Sequence, residues 1–169
     1  TSSEVSGSSN EDTAINVALS ATDVDQDNLT YSIVSDVSNG TTSISGSTLT
    51  YTPNQDWNGT DTFTYKVNDG TVDSNTSNGT ITIAAINDAP VANDKTVSTN
   101  ETRFISLDIT LDATDVDGDN LTYTIVSDAS NATTSLSGNV VTYVPTTDWN
   151  GEDIFTCLLY TSDAADEVV

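Results

Sequence analysis

The chain has 169 residues, of which three are basic and 26 acidic with no histidine, so its formal net charge is -23. That balance argues against a nucleic-acid partner, which needs Lys and Arg on the contact face, and against an anionic membrane surface. Self-repulsion of this size must be relieved by a metal ion or dissolved salt, and oxygen-rich acidic clusters suit hard cations such as calcium.

Charged residues make up 17% of the chain, so the acidity does not come from a low-complexity acidic tail. Thr, Ser, Asn and Asp dominate among β-branched and aromatic residues, the vocabulary of strands joined by turns. No apolar run approaches a membrane span and Thr1 begins no signal peptide, so the chain is expected to be a fragment of something longer, with no membrane insertion of its own. Cys157 is the only cysteine, which rules out an internal disulfide and a Cys-based metal site.

In chain order, apolar residues alternate with period two and predict strands: a short one around Ser3 to Ser6, then Ile15, Val17, Leu19, then Leu29, Tyr31, Ile33. A strand over Thr41 to Ser45 follows, then Leu49 and Tyr51, then Phe63, Tyr65, Val67, and last Ile81 and Ile83. Turn signals at Asn39-Gly40, Ser45-Gly46, Asn58-Gly59, Asp69-Gly70 and Asn78-Gly79 separate them. About seven short strands with no helical period predict an all-β, immunoglobulin-like sandwich. Trp57, in a turn just before a strand, is expected to plug the end of that core rather than to serve as a sugar platform.

Between the second and third strands lie Asp23, Asp25 and Asp27, three carboxylates at alternate positions that repel one another unless a cation joins them. The alternative is a solvated acidic surface. An EF-hand is excluded, because the sixth loop position is Asn28 instead of glycine and the twelfth is Val34 instead of glutamate. Catalysis is poorly supported: no histidine, no nucleophile with a base, and Asp56 with Asp61 as a glycosidase-like pair lacks an evident cleft.

After Ile86-Asn87-Asp88-Ala89-Pro90 the chain is written again, with Ala21 to Tyr31 returning as Ala113 to Tyr123 and the aspartates as Asp115, Asp117 and Asp119. Tyr51, Pro53, Asp56, Trp57, Asn58, Gly59, Asp61 and Phe63 return as Tyr143, Pro145, Asp148, Trp149, Asn150, Gly151, Asp153 and Phe155. The copy stops matching at Thr156. Cys157-Leu158-Leu159-Tyr160-Thr161-Ser162-Asp163-Ala164-Ala165-Asp166-Glu167 resembles instead a translated sequencing adapter, so residues 157–169 are expected to be non-native and the second copy truncated.

Ala-x-Asp-x-Asp followed by Asn, Leu and Tyr, the linker Ile86-Asn87-Asp88-Ala89-Pro90, and Asp-Trp-Asn-Gly before Phe63 occur in order and twice over. Up to Thr156 the chain thereby resembles the bacterial cadherin-like tandem repeats of large surface proteins and adhesins. The resemblance implies two tandem seven-strand immunoglobulin/cadherin-like Greek-key β-sandwiches: repeat one over 1–85, a calcium-binding linker over 86–90, and an incomplete repeat two over 91–156. It also implies calcium held by Asn87 and Asp88 of the linker, Asp115 and Asp117 of repeat two, and Glu11, with Asp56 or Asp61, of repeat one. Asp23, Asp25 and Asp69 would form an incomplete N-terminal half-site. The cadherin Asp-Arg-Glu triplet is absent, which leaves Asp56 and Asp61 the weakest members.

The implied role is a non-enzymatic, extracellular or cell-surface calcium-binding module for adhesion or calcium-rigidified spacing. Its partners would be neighbouring repeats and a surface protein or glycan. A carbohydrate-binding accessory region of a secreted enzyme and a purely structural surface-layer or filament segment are the alternatives.

Overall fold

The computed structural model describes residues 1–98 and 106–161. All of its regular structure is β, in two compact units, Thr1–Ile86 and Asn87–Val169. Residues 162–169, part of the expected non-native tail, lie outside the described residues. Among the described residues no helix is long and apolar enough to cross a membrane.

The first unit contains seven strands: β1 (Val5–Asn10), β2 (Ile15–Ala18), β3 (Thr30–Ser35), β4 (Gly40–Ser45), β5 (Thr48–Pro53), β6 (Gly59–Asn68) and β7 (Ser77–Ala84). They form two sheets, β1-β7-β6-β3 and β2-β5-β4. β1 runs parallel to β7, and the other pairings are antiparallel. Each inner face is the apolar half of an alternating strand, which is why the period-two series lands inside. Val17 and Leu19 of the β2 edge, Leu49 and Tyr51 of β5, Phe63 and Tyr65 of β6, and Ile81 and Ile83 of β7 make one buried cluster, with Trp57 packed against it from the side.

Tyr65 does more than fill space. Its ring stacks on Tyr31 with centroids 6.4 Å apart. Its hydroxyl has the Ser3 and Ser20 carbonyls at 2.5 and 2.8 Å as alternative acceptors for its single proton, and it accepts the Ser20 N–H. A buried tyrosine thus ties the N-terminal segment to the β2 edge while satisfying its own polar end.

The second unit contains β8 (Val91–Asn93), β9 (Leu107–Thr110), β10 (Asp112–Thr114), β11 (Leu121–Ser127), β12 (Ala132–Ser137), β13 (Val140–Pro145) and β14 (Thr156–Thr161). The sheet β12-β13-β9 repeats β4-β5-β2, and β11-β14 repeats β3-β6. Registers agree residue for residue: Ile33 faces Tyr65 as Ile125 faces Cys157, and each pair carries the same irregularity one step on, Ile33/Ser35 and Ile125/Ser127. The change of sequence at Cys157 leaves this pairing intact, because Cys157, Leu159 and Thr161 keep the inward parity. β8 pairs with β10 in a short separate ladder. The core is smaller: Ile109, Ala129, Val141 and Tyr143 are buried, with Leu107, Ile125, Leu136, Phe155 and Cys157 packed partly exposed around them.

Candidate functional site

The Asp-x-Asp loops are built alike in both units. In the first, Asp23 Oδ2 accepts the backbone N–H groups of Asp25 at 3.1 Å and Asp27 at 3.0 Å, an aspartate closing its own turn. In the second, Asp115 Oδ1 accepts the N–H of Asp119 at 3.1 Å. The first aspartate of each loop is therefore half-buried and shapes the loop, while Asp25 and Asp117 stand exposed. The bend requires a left-handed residue at the same place in both copies: Gln26 at φ 61° in one and Gly118 at φ 76° in the other.

Asp115 Oδ2 is buried with no hydrogen-bond partner among the described residues. An orphaned buried carboxylate oxygen costs about 1–3 kcal/mol, and more when charged, so this atom has an unmet demand for a donor or a cation. In the same unit, Asp117 Oδ2 accepts the backbone N–H of Asp88 at 2.7 Å, which joins the linker backbone to the loop. Asn87 turns its amide toward the Asp88 carbonyl at 3.3 Å and is exposed.

In the first unit, Glu11 follows β1 and is 6% exposed. Its carboxylate accepts the Ile86 N–H, and its own N–H donates to the Ala84 carbonyl at 2.9 Å. Glu11 thus pins the exit of β7. Asp56 is half-buried, in a left-handed conformation at φ 55°, and its N–H donates to Asp12 Oδ1 at 3.0 Å. Asp148 repeats that conformation in the second unit at φ 61°. Asp69 opens the turn after β6 and spends Oδ1 on the N–H groups of Thr71 and Val72, at 2.7 and 2.8 Å. Those bonds, Val72 foremost, hold its carboxyl below the ordinary range. The structure does not gather Asp23, Asp25 and Asp69 into one carboxylate cluster among the described residues, because Asp69 is committed to its own turn.

Asp61 corrects the sequence reading most sharply. It lies inside β6 rather than in the loop before it, and it is 4% exposed. Its oxygens accept from Ser38 N at 3.1 Å, Asn39 N at 2.7 Å, Thr62 N at 3.0 Å and the Tyr51 hydroxyl at 3.3 Å. Four donors saturate a buried carboxylate, so Asp61 is the anchor of the turn before β4 rather than a ligand facing an ion. Burial first, then the negative charge and hydrogen bond of Asp61, push the Tyr51 phenol up to about 12. Asp153 accepts the same set in the second unit: Ser130 N, Asn131 N, Ile154 N and the Tyr143 hydroxyl. Desolvation works against its ionisation, yet these donors together hold its carboxyl below the ordinary range. The signal was present in the sequence, since Asp61 shares the inward parity of Phe63, Tyr65 and Val67 and returns as Asp153.

The family model described as bacterial Ig domain matches this chain twice, over residues 1–83 and 87–167. No curated protein matches the sequence. Among solved structures, the extracellular cadherin domains 3-6 of protocadherin gamma B2 are similar at 16% identity and a TM-score of 0.54, covering 96% of this chain and 46% of that one. Domains EC1-2 of human mucin-like protocadherin are similar at 16% identity and a TM-score of 0.52, covering 95% and 94%. An endo-fucoidan hydrolase of glycoside hydrolase family 107 is matched at 22% identity with a TM-score of 0.41, over 94% of this chain and 25% of the hydrolase. The chain thus spans a quarter of the hydrolase and under half of the gamma B2 structure. At these identities the likeness is one of fold.

Proposed function

This chain belongs to the bacterial Ig domain family, and from that premise we propose that it is a non-catalytic, extracellular tandem module that binds calcium through its Asp-x-Asp loops and serves adhesion or spacing. The observation that carries the reading is the orphaned, buried Oδ2 of Asp115 in a loop whose neighbours Asp117 and Asp88 are also acidic. Oxygen-only donors of this kind, with no histidine or thiolate in the loop, suit a hard divalent cation. In the second unit Asp88, Asp115 and Asp117 would hold the ion. In the first, Asp23 and Asp25 offer the corresponding loop, and Glu11, Asp61 and Asp69 are already occupied by backbone donors.

When bound, calcium supplies positive charge to a chain of net charge -23 and satisfies an oxygen the protein leaves without a partner. It also ties the linker aspartate to the loop, so the ordered state gains by mass action about 2.7 kcal/mol at 100 times the dissociation constant. Extracellular modules bind in the range of about 10⁻⁴ to 10⁻³ M, a concentration that separates an exterior from a cytoplasm.

Titrating calcium into the chain while following the melting temperature tests this. The temperature should rise saturably at millimolar calcium and return on chelation, with sodium at equal ionic strength giving less. Asp117→Asn and Asp115→Asn should each weaken the response about tenfold. An unchanged melting temperature up to several mM calcium, or an Asp115→Asn titration identical to the parent, sinks the proposal.

A further inference from the structure

In the first unit the sheet β2-β5-β4 ends at β4, and in the second β12 ends the matching sheet. Among the described residues each of these strands has one partner, β5 and β13 respectively. The Asn54 N–H donates to the Asn39 carbonyl at 2.9 Å, so Asn39 turns its backbone toward β5. Successive residues of a strand turn their backbone groups to opposite sides, which leaves those of Gly40, Thr42 and Ile44 on the side away from β5. The Thr146 N–H donates to the Asn131 carbonyl at 2.8 Å and sets Ala132, Thr134 and Leu136 the same way.

Edge strands are ordinarily guarded by charge, proline or a bulge. β3, an edge of the other sheet, carries an irregularity between Ile33 and Ser35. β4 instead pairs with β5 in unbroken register, and no charged residue occurs from Val37 to Gln55. None occurs from Ala129 to Thr147 either, and these two are the longest uncharged runs in the chain. In a molecule of net charge -23, a neutral edge is the surface that a second copy approaches at the least electrostatic cost. One carboxylate is nonetheless bonded to the middle of each edge. Asp36 Oδ1 accepts the Thr42 hydroxyl at 2.6 Å, and Asp128 accepts that of Thr134.

We propose that the β4 edge, and β12 in the same way, is a self-association site whose occupant is the same edge of a second copy, antiparallel about a two-fold axis at Ser43. That register sets Thr42 opposite Ile44 twice, and both residues hold their backbone groups on the open side, so main-chain hydrogen bonds form across the axis. On the outward face Ser43 meets Ser43 and Thr41 meets Ser45, exposed hydroxyl side chains with neither bulk nor like charge to keep the strands apart. The pairing also draws the two Asp36 carboxylates together, each through its Thr42. Their repulsion keeps it weak and makes it sensitive to salt.

Sedimentation of the full chain over a concentration series, with a chelator present so that calcium plays no part, tests this at low and high sodium chloride. Association should rise with concentration and with salt. Amide exchange at Thr42 and Ile44 should slow as it does, while Thr41 and Ser43, already turned to β5, stay unchanged. Asp36→Asn combined with Asp128→Asn should tighten association about tenfold. Thr42→Pro combined with Thr134→Pro removes an open-side N–H without touching the ladder to β5 or β13, so it should abolish association and leave the melting temperature nearly unaltered. A double asparagine variant that stays monomeric at millimolar concentration, association that the prolines leave intact, or slowed exchange confined to other segments would each overturn the assignment.

Discussion

Repeat one and repeat two share their Asp-x-Asp loops and the register of two ladders, yet matching core positions are covered to different degrees. Phe63 and Tyr65 are sealed, and their counterparts Phe155 and Cys157 are half-exposed. Where Tyr65 stacks on Tyr31 and reaches Ser20, beside Leu19, whose N–H binds the Ser47 carbonyl, the second unit has a thiol. The second unit also has an open cavity of about 570 Å³, lined by Leu121, Thr122, Tyr123, Leu136, Gly138 and Asn139. Those residues are the copies of Leu29, Thr30, Tyr31, Ile44, Gly46 and Ser47. The comparison teaches that backbone register survives the exchange of a core side chain, because ladder hydrogen bonds and side-chain parity set it.

The largest effect that would break this comparison is the exchange of the two residues. Tyr65→Cys should destabilise the first unit by about 3–5 kcal/mol, since it opens a cavity and leaves the Ser3 and Ser20 groups without their hydroxyl partner. Cys157→Tyr should stabilise the second by about 1–2 kcal/mol as the ring makes against Tyr123 the stack that Tyr65 makes against Tyr31. Urea unfolding followed by tyrosine fluorescence and by hydrogen exchange in each unit reads both. Equal effects of the two substitutions would show that position 157 does not occupy the place of the Tyr65 ring.

Next in size is the response to pH. Tyr51 is neutral in the fold, with its pKa raised to about 12 from an ordinary 10.0. Its contribution is fully present below the ordinary value and is lost as pH rises through the window from 10 to 12. Asp153 has the opposite sign: its lowered pKa contributes stability above the ordinary carboxylate value, lost as pH falls through the lower folded value. Tyr51→Phe should remove most of the alkaline loss in the first unit, measured by thermal unfolding between pH 9 and 12, and an unaltered alkaline limb would assign that loss elsewhere.

The smallest test compares the two loops. Gln26 holds a left-handed conformation that Gly118 adopts at no steric cost. Gln26→Gly should therefore be neutral or stabilising by up to about 1 kcal/mol, while Gly118→Gln should destabilise by about 1 kcal/mol. Opposite signs in melting temperature sharpen the equivalence of the loops; like signs would break it.

Much of this was legible in the residues alone. Period-two alternation placed Val17, Leu49, Tyr51, Phe63, Tyr65, Ile81 and Ile83 inside, because a strand presents alternate side chains to one face whatever its neighbours are. The internal repeat carried the same pattern to Ile109, Val141 and Tyr143. Alternating aspartates marked the loop in which Asp117 accepts the backbone N–H of Asp88. Polar residues were harder. An aspartate reads the same in a sequence whether it faces water, an ion or four internal donors. Only the tertiary structure separated Asp61, folded inward onto Ser38, Asn39 and Tyr51, from Asp117, which stands exposed. It alone also showed that Asp115 keeps one oxygen buried with no hydrogen-bond partner among the described residues. Side-chain direction within a strand is local, set by backbone geometry one residue at a time. Hydrogen-bond saturation and edge pairing depend on groups tens of residues away, and they exist only once the chain has closed on itself.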